Sequence, residues 1–157
     1  MSSMSTFFDV PNSTVRSWIP PKNSLSVAPM IQWTDQNFRY YIRGITKNTI
    51  LYTEMTMAKT LTYNPHCLHK FIAHDTTEHP LVLQLGGNDP EILGKACELV
   101  HTYSPRCRDD MGGQIWHAIN LNCGCPSGKA RRQGFGAEMM LDKDLTRQCV
   151  AAMNRVL

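Results

Sequence analysis

"HPLVLQLGGNDPEILGKACELVHTY", residues 79–103, is the stretch that decides the fold. Leu81 to Leu85 is a near-continuous apolar run that ends in a glycine pair, Gly86 and Gly87. Such a run reads as a strand covered on both faces, as in a parallel sheet. Asp89 then stands before Pro90, an N-cap followed by a proline in the first helical turn. Ile92, Leu93, Ala96, Leu99 and Val100 recur at helical spacing and form one apolar face. Residues 79–103 therefore read as one βα unit.

The same unit recurs outward from this stretch. "SLSVAPMI" (24–31) reads as a first strand and "TDQNFRYYIRGI" (34–45) as its helix, with a Thr/Asp start and Gly44 near the end. "NTILYTEM" (48–55) is a second strand, rich in β-branched and aromatic residues. It is followed by a polar connection over 60–77, with a short helix expected at "CLHKFIAH" (67–74). "IWHAINLNCGCP" (115–126) is the fourth strand and "LDKDLTRQCVAAMNRVL" (141–157) the helix after it. Four alternations fit either a doubly wound sheet or a (β/α)8 barrel. No GxGxxG follows a strand, which weakens the dinucleotide reading. A barrel needs eight units over about 250 residues. The expectation is therefore an α/β fold, the N-terminal half of a (β/α)8 TIM barrel with about four βα units. Residues 1–24 are a polar lead-in, and residues 25–157 a partial barrel that stops before a fifth strand.

Composition sets wider bounds. The chain has 157 residues, 42% of them hydrophobic, enough for one core. A net charge of +3 permits a nucleic-acid partner without demanding one. No run of about 18 apolar residues exists, so no membrane span is expected. The Ser-rich start lacks the apolar segment of a secretory signal, which predicts a cytoplasmic protein and leaves a short organelle presequence open. The six cysteines include no CxxC pair, so reduced thiols are expected. Cys97 and Cys149 fall in helical patterns and read as small core residues. Cys67 lies between His66 and His69, but the spacing matches no standard zinc site, and no metal is assigned.

In a barrel, sites form where strands end. The unusual residues stand at those points: "APM" (28–30), "TEM" (53–55), "QLGG" (84–87) and "NCGCP" (122–126). Each alone has a structural reading: a packing pair, a turn, a satisfied buried amide. On four successive strands they converge on one mouth.

The segments "VAPMIQWTDQNFRYYIR", "ILYTEM", "HPLVLQLGGNDPEIL" and "INLNCGCPSGKARRQGFGAEMM" resemble the tRNA-dihydrouridine synthase family, above all its A-type branch, over residues 25–157. The resemblance implies FMN at the barrel mouth, NADPH as electron source, and tRNA as substrate, reduced at uridines 20 and 20a of the D-loop. It implies a protein that is monomeric at full length. Ala28, Pro29 and Met30 fall where the family lines the flavin. Gln84 falls where an amide bonds the isoalloxazine, Cys125 on the catalytic acid, and Asn122 on a position that contacts RNA and the flavin region. Glu54 falls in the family's "TEM" and supports the site. The family's further Lys and His and its phosphate-binding loops belong to later strands.

That chemistry explains a cysteine at a strand end. Hydride added to C6 of uracil must be balanced by a proton at C5 from the opposite face. A thiol, with an ordinary pKa of about 8.5, is protonated at neutral pH yet acidic enough to donate. Pro126 stiffens the exit of the Cys125 loop. The uridine must also leave its folded tRNA to reach the pocket. The A-type pattern leads one to expect a small aliphatic residue where this chain has Cys123. Cys123 faces the same side as Cys125 if the strand stays regular, and reads as a Val-sized buried thiol rather than a redox partner or second acid. Lys129, Arg131 and Arg132 of "GKARRQG" read equally as RNA phosphate contacts or as a solvated loop. The family often has "DR" where this chain has "GK". "SPRCRDDMGGQ" (104–114) reads as a surface insertion. Two other functions remain open: a free-pyrimidine flavin oxidoreductase of the dihydroorotate dehydrogenase type, and a non-catalytic, truncated RNA-binding barrel.

Overall fold

The computed structural model describes residue 20 and residues 22–103 and 116–156. Most of the lead-in lies outside these residues, as does the inserted loop of 104–114. Four strands form one sheet: β1 (Ser26–Val27), β2 (Ile50–Met57), β3 (Leu81–Gly86) and β4 (Ala118–Leu121). They lie in the order β1-β2-β3-β4, and every neighbouring pair is parallel. A doubly wound sheet reverses its strand order at a switch point. Sequential order without reversal is the arrangement of successive barrel staves. The α/β half-barrel expectation holds.

The helices are α1 (Gln36–Ile45), α2 (Ala58–Tyr63), α3 (His69–Ile72), α4 (Pro90–Thr102), α5 (Gly128–Arg132) and α6 (Lys143–Asn154). Asp35, Asp89, Ser127 and Asp142 cap α1, α4, α5 and α6, each accepting backbone N–H groups of the first turn. The core lies between the sheet and the helices. Leu83 and Leu85 of β3 meet Ala58 and Leu61 of α2, Leu93, Ala96, Cys97 and Val100 of α4, and Cys149 and Met153 of α6. Cys97 and Cys149 are the core thiols their patterns suggested. All six residues of β3 are buried.

Three elements differ from the sequence reading. The first strand pairs over two residues only, because the chain turns at Met30, whose carbonyl accepts the N–H groups of Trp33 and Thr34. The 60–77 connection holds more order than expected: α2 precedes it directly from β2, and the expected helix at 67–74 shortens to α3. The fourth strand ends at Leu121, so Asn122–Pro126 is a loop. It is followed by α5 and a 3-10 turn, Gly136–Met140, neither of which the periodicity announced.

Two buried arginines of α1 tie this helix to the loops around it. Arg39 pairs with Glu78 at 2.6 Å with both side chains buried, and donates to the Thr34 carbonyl at 2.7 Å. Arg43 donates to the carbonyls of Thr46, Thr49, Glu78 and Pro80. These bonds give the buried guanidinium its partners and tie α1 to the carbonyls of the loops around it.

Candidate active site

The C-terminal ends of the four strands share one edge of the sheet, and the residues singled out above stand along it. On β1 the segment Ala28–Met30 is held by Thr34, fully buried, whose hydroxyl accepts from the Met30 N–H at 3.0 Å. Ala28 is exposed and Met30 is 41% exposed, so apolar surface is left open at the edge. The backbone N–H of Gln32 donates to the Glu54 carboxylate, which ties this loop to β2.

Gln84 occupies the centre of the edge. β2 carries an irregularity, with Tyr52 opposite Val82 but Met55 opposite Gln84, so one extra residue lies on β2. The Thr53 hydroxyl accepts the Gln84 N–H at 3.1 Å in place of a ladder carbonyl. The Gln84 side chain, 5% exposed, points to the same face as Asn120 and Asn122 of the neighbouring chain segment. Its Nε2 donates to Asn120 Oδ1 at 2.8 Å, and its Oε1 accepts from Asn122 Nδ2 at 2.8 Å. Asn122 Oδ1 in turn accepts the N–H groups of Gly124 at 3.2 Å and Cys125 at 2.9 Å.

Cys125 is gripped from the other side as well. Its carbonyl accepts from the Ala137 N–H at 3.0 Å. Gly136, at φ +69°, lies against it so closely that a Cβ there would come within 2.6 Å of the Cys125 carbonyl oxygen. The Cys125 thiol donates to Ser127 Oγ at 3.4 Å. When the thiol ionises the donor reverses, and the Ser127 hydroxyl and backbone N–H hold the thiol pKa below its ordinary value.

The two cysteines part company here. With the strand ended at Leu121, Cys123 does not share a face with Cys125, as a regular strand would have required. It packs half-buried against the helix-side core, and burial raises its pKa. It is a packing thiol. Among the bases, Lys129, Arg131 and Arg132 lie on α5 with exposed side chains, and Arg131 sits 3.6 Å from the Glu138 carboxylate. α5 thus carries its cations on the solvent side of the Cys125 loop.

Sequence reasoning missed Asn120, Ser127 and Gly136. Asn120 was visible as the first amide of the alternating "NLN", and Gly136 in "GFG", but neither signals a partner without the fold.

Amides and a thiol gathered on the C-terminal strand ends of a parallel βα sheet have the placement of site residues in a (β/α)8 barrel. The family within that class follows from comparison: the Dihydrouridine synthase (Dus) family model matches residues 26–157, and the chain belongs to that family. It is 42% identical over 133 residues to the tRNA-dihydrouridine(20/20a) synthase of Vibrio parahaemolyticus, covering 85% of this chain and 36% of the relative. The proteins of that name from Synechocystis sp. and Pseudomonas putida are 39% identical over 137 residues and 40% identical over 133 residues, covering 86% and 85% of this chain. The chain spans 36% of the length of each of these relatives.

Proposed function

We propose that this chain is the N-terminal part of an FMN-dependent, NADPH-using enzyme that reduces uridine to 5,6-dihydrouridine in the D-loop of tRNA, at positions 20 and 20a. Family membership and the printed names of the relatives support the substrate. The observation that carries the chemistry is the tie between Cys125 and Gln84 through one side chain, Asn122.

The residues at the edge suit a flavin. Gln84 uses one of its two amide protons and one of its two carbonyl lone pairs within the chain, which leaves one of each for a ring imide. Ala28 and Met30 offer exposed apolar contact at the same edge, where Pro29 fixes the backbone. FMN, when bound and reduced, supplies the hydride to C6 of uracil. Cys125 supplies the proton to C5, so that the C5–C6 double bond gains one hydride and one proton. Ser127 stabilises the thiolate left behind, and the partly exposed sulfur regains its proton from water. Asn122 fixes the height of the thiol and has one amide proton left for the base. Lys129, Arg131 and Arg132 contact phosphates beside the extruded uridine.

The test uses the full-length protein with FMN, NADPH and unmodified tRNA. Dihydrouridine formed at positions 20 and 20a, with free uracil and dihydroorotate unreacted, is the expected result. Turnover of either small molecule in preference to tRNA points to the dihydroorotate dehydrogenase type. Tight tRNA binding with no flavin and no product points to a binding protein.

A further inference from the structure

The mouth holds three side-chain amides in a row, and the direction of their hydrogen bonds is fixed from one end. Backbone N–H groups can only donate, so the two from Gly124 and Cys125 require Asn122 to present its carbonyl oxygen. The Asn122 NH2 then faces Gln84, which must present its own oxygen there. The Gln84 NH2 is left facing Asn120, whose oxygen accepts at 2.8 Å. Donors therefore run one way along the row, from Cys125 to Asn122 to Gln84 to Asn120. Asn120 is the terminal acceptor. It lies directly opposite Gln84 in the β3–β4 register, on the face away from the helix-packed Leu83, Leu85, Ile119 and Leu121.

We propose that Asn120 is a positioning residue: by accepting from Gln84 it locks the amide of Gln84 in one orientation, with a donor and an acceptor displayed in fixed order to the ring imide of the cofactor. This rests on the flavin reading above. Asn122 holds the Gln84 oxygen, but without an acceptor at position 120 the buried Gln84 NH2 is unpaired and the carboxamide is held at one end only, so its plane, and with it the display to the ligand, is no longer fixed.

Two substitutions separate positioning from packing. Asn120→Leu keeps the volume and removes the acceptor. Asn120→Asp keeps the acceptor and adds a charge. In the full-length protein, FMN affinity by fluorescence quenching is expected to fall about tenfold for Asn120→Leu and to stay within about threefold of wild type for Asn120→Asp. In a Gln84→Leu background, Asn120→Leu should change FMN affinity no further. The opposite order, with Asn120→Leu silent and Asn120→Asp damaging, overturns the proposal, as does an additive double substitution. If wild type binds no FMN, the proposed function falls, and the positioning claim is then decided by melting temperature. A non-additive Asn120→Leu, Gln84→Leu cycle upholds the Asn120–Gln84 lock, and an additive one overturns it.

Discussion

The Asn122 carboxamide accepts the Cys125 N–H at 2.9 Å and donates to Gln84 at 2.8 Å, so one side chain spans the thiol loop and the amide at the sheet centre. Asn122→Ala removes both ends at once. It should slow uridine reduction by about 10²-fold, the scale of a misplacement of roughly an ångström. FMN affinity should fall much less, because Gln84 keeps Asn120. Rates from single-turnover mixing beside FMN titrations check the split; equal losses in both would place Asn122 on the cofactor alone.

Gly136 leaves no room for a side chain against the Cys125 carbonyl and adopts φ +69°. Gly136→Ala should displace the Cys125 loop, cost about 1–3 kcal/mol of stability, and slow uridine reduction by at least tenfold while FMN stays bound. Thermal melts and flavin absorbance of the same preparation check this. Gly124 has open space around it, so Gly124→Ala should be far milder and serves as the control.

Arg39 and Glu78 form a buried ion pair. Glu78→Gln leaves the guanidinium without its counter-charge and should cost about 3–5 kcal/mol. Replacing both residues with apolar ones of similar volume should recover much of that loss. Chemical denaturation of wild type, of each single apolar replacement and of the double replacement measures the coupling, and full additivity would show that the pair is not coupled.

Acid should loosen the lower end of the sheet before ordinary carboxylates titrate. His79 is pushed down to about 4 from 6.5, first by burial and then by the neighbouring His74, His117 and Arg43. A histidine whose folded pKa lies below its unfolded value favours the folded state fully above pH 6.5, and that stability is lost as pH falls from 6.5 toward 4. His117 is also lowered by burial and by Arg43, and adds in the same direction. Melting temperature should therefore drop between about pH 6.5 and 5, and His79→Gln should flatten that part of the curve. An unchanged slope in His79→Gln would assign the acid loss elsewhere.

The parallel βα order was legible because apolar runs and Asp caps are local signals: Asp89–Pro90 marks the start of α4 without reference to anything else. Gln84 was legible as a polar residue in an apolar strand. The short pairing of β1 was not, since it depends on the Met30 carbonyl finding Thr34. Nor was the divergence of Cys123 from Cys125, which follows from where β4 stops and not from residue spacing. The buried arginines of α1 were hidden because Arg39 and Arg43, four apart, look like one solvated helical face. Their distant partners, Glu78 and the carbonyl of Pro80, lie far along the chain.

In the proposed reaction Cys125, and not Cys123, delivers the proton. The most direct measurement mixes pre-reduced full-length enzyme with unmodified tRNA and follows flavin reoxidation in a single turnover. Cys125→Ala should leave FMN bound and NADPH oxidation by the flavin nearly intact, and should slow reoxidation by tRNA about 10²–10⁴-fold. Cys123→Ala should reoxidise near the wild-type rate and lose about 1 kcal/mol of packing stability. A stalled Cys123→Ala beside a Cys125→Ala that reacts at the wild-type rate would place the proton donor on Cys123 instead.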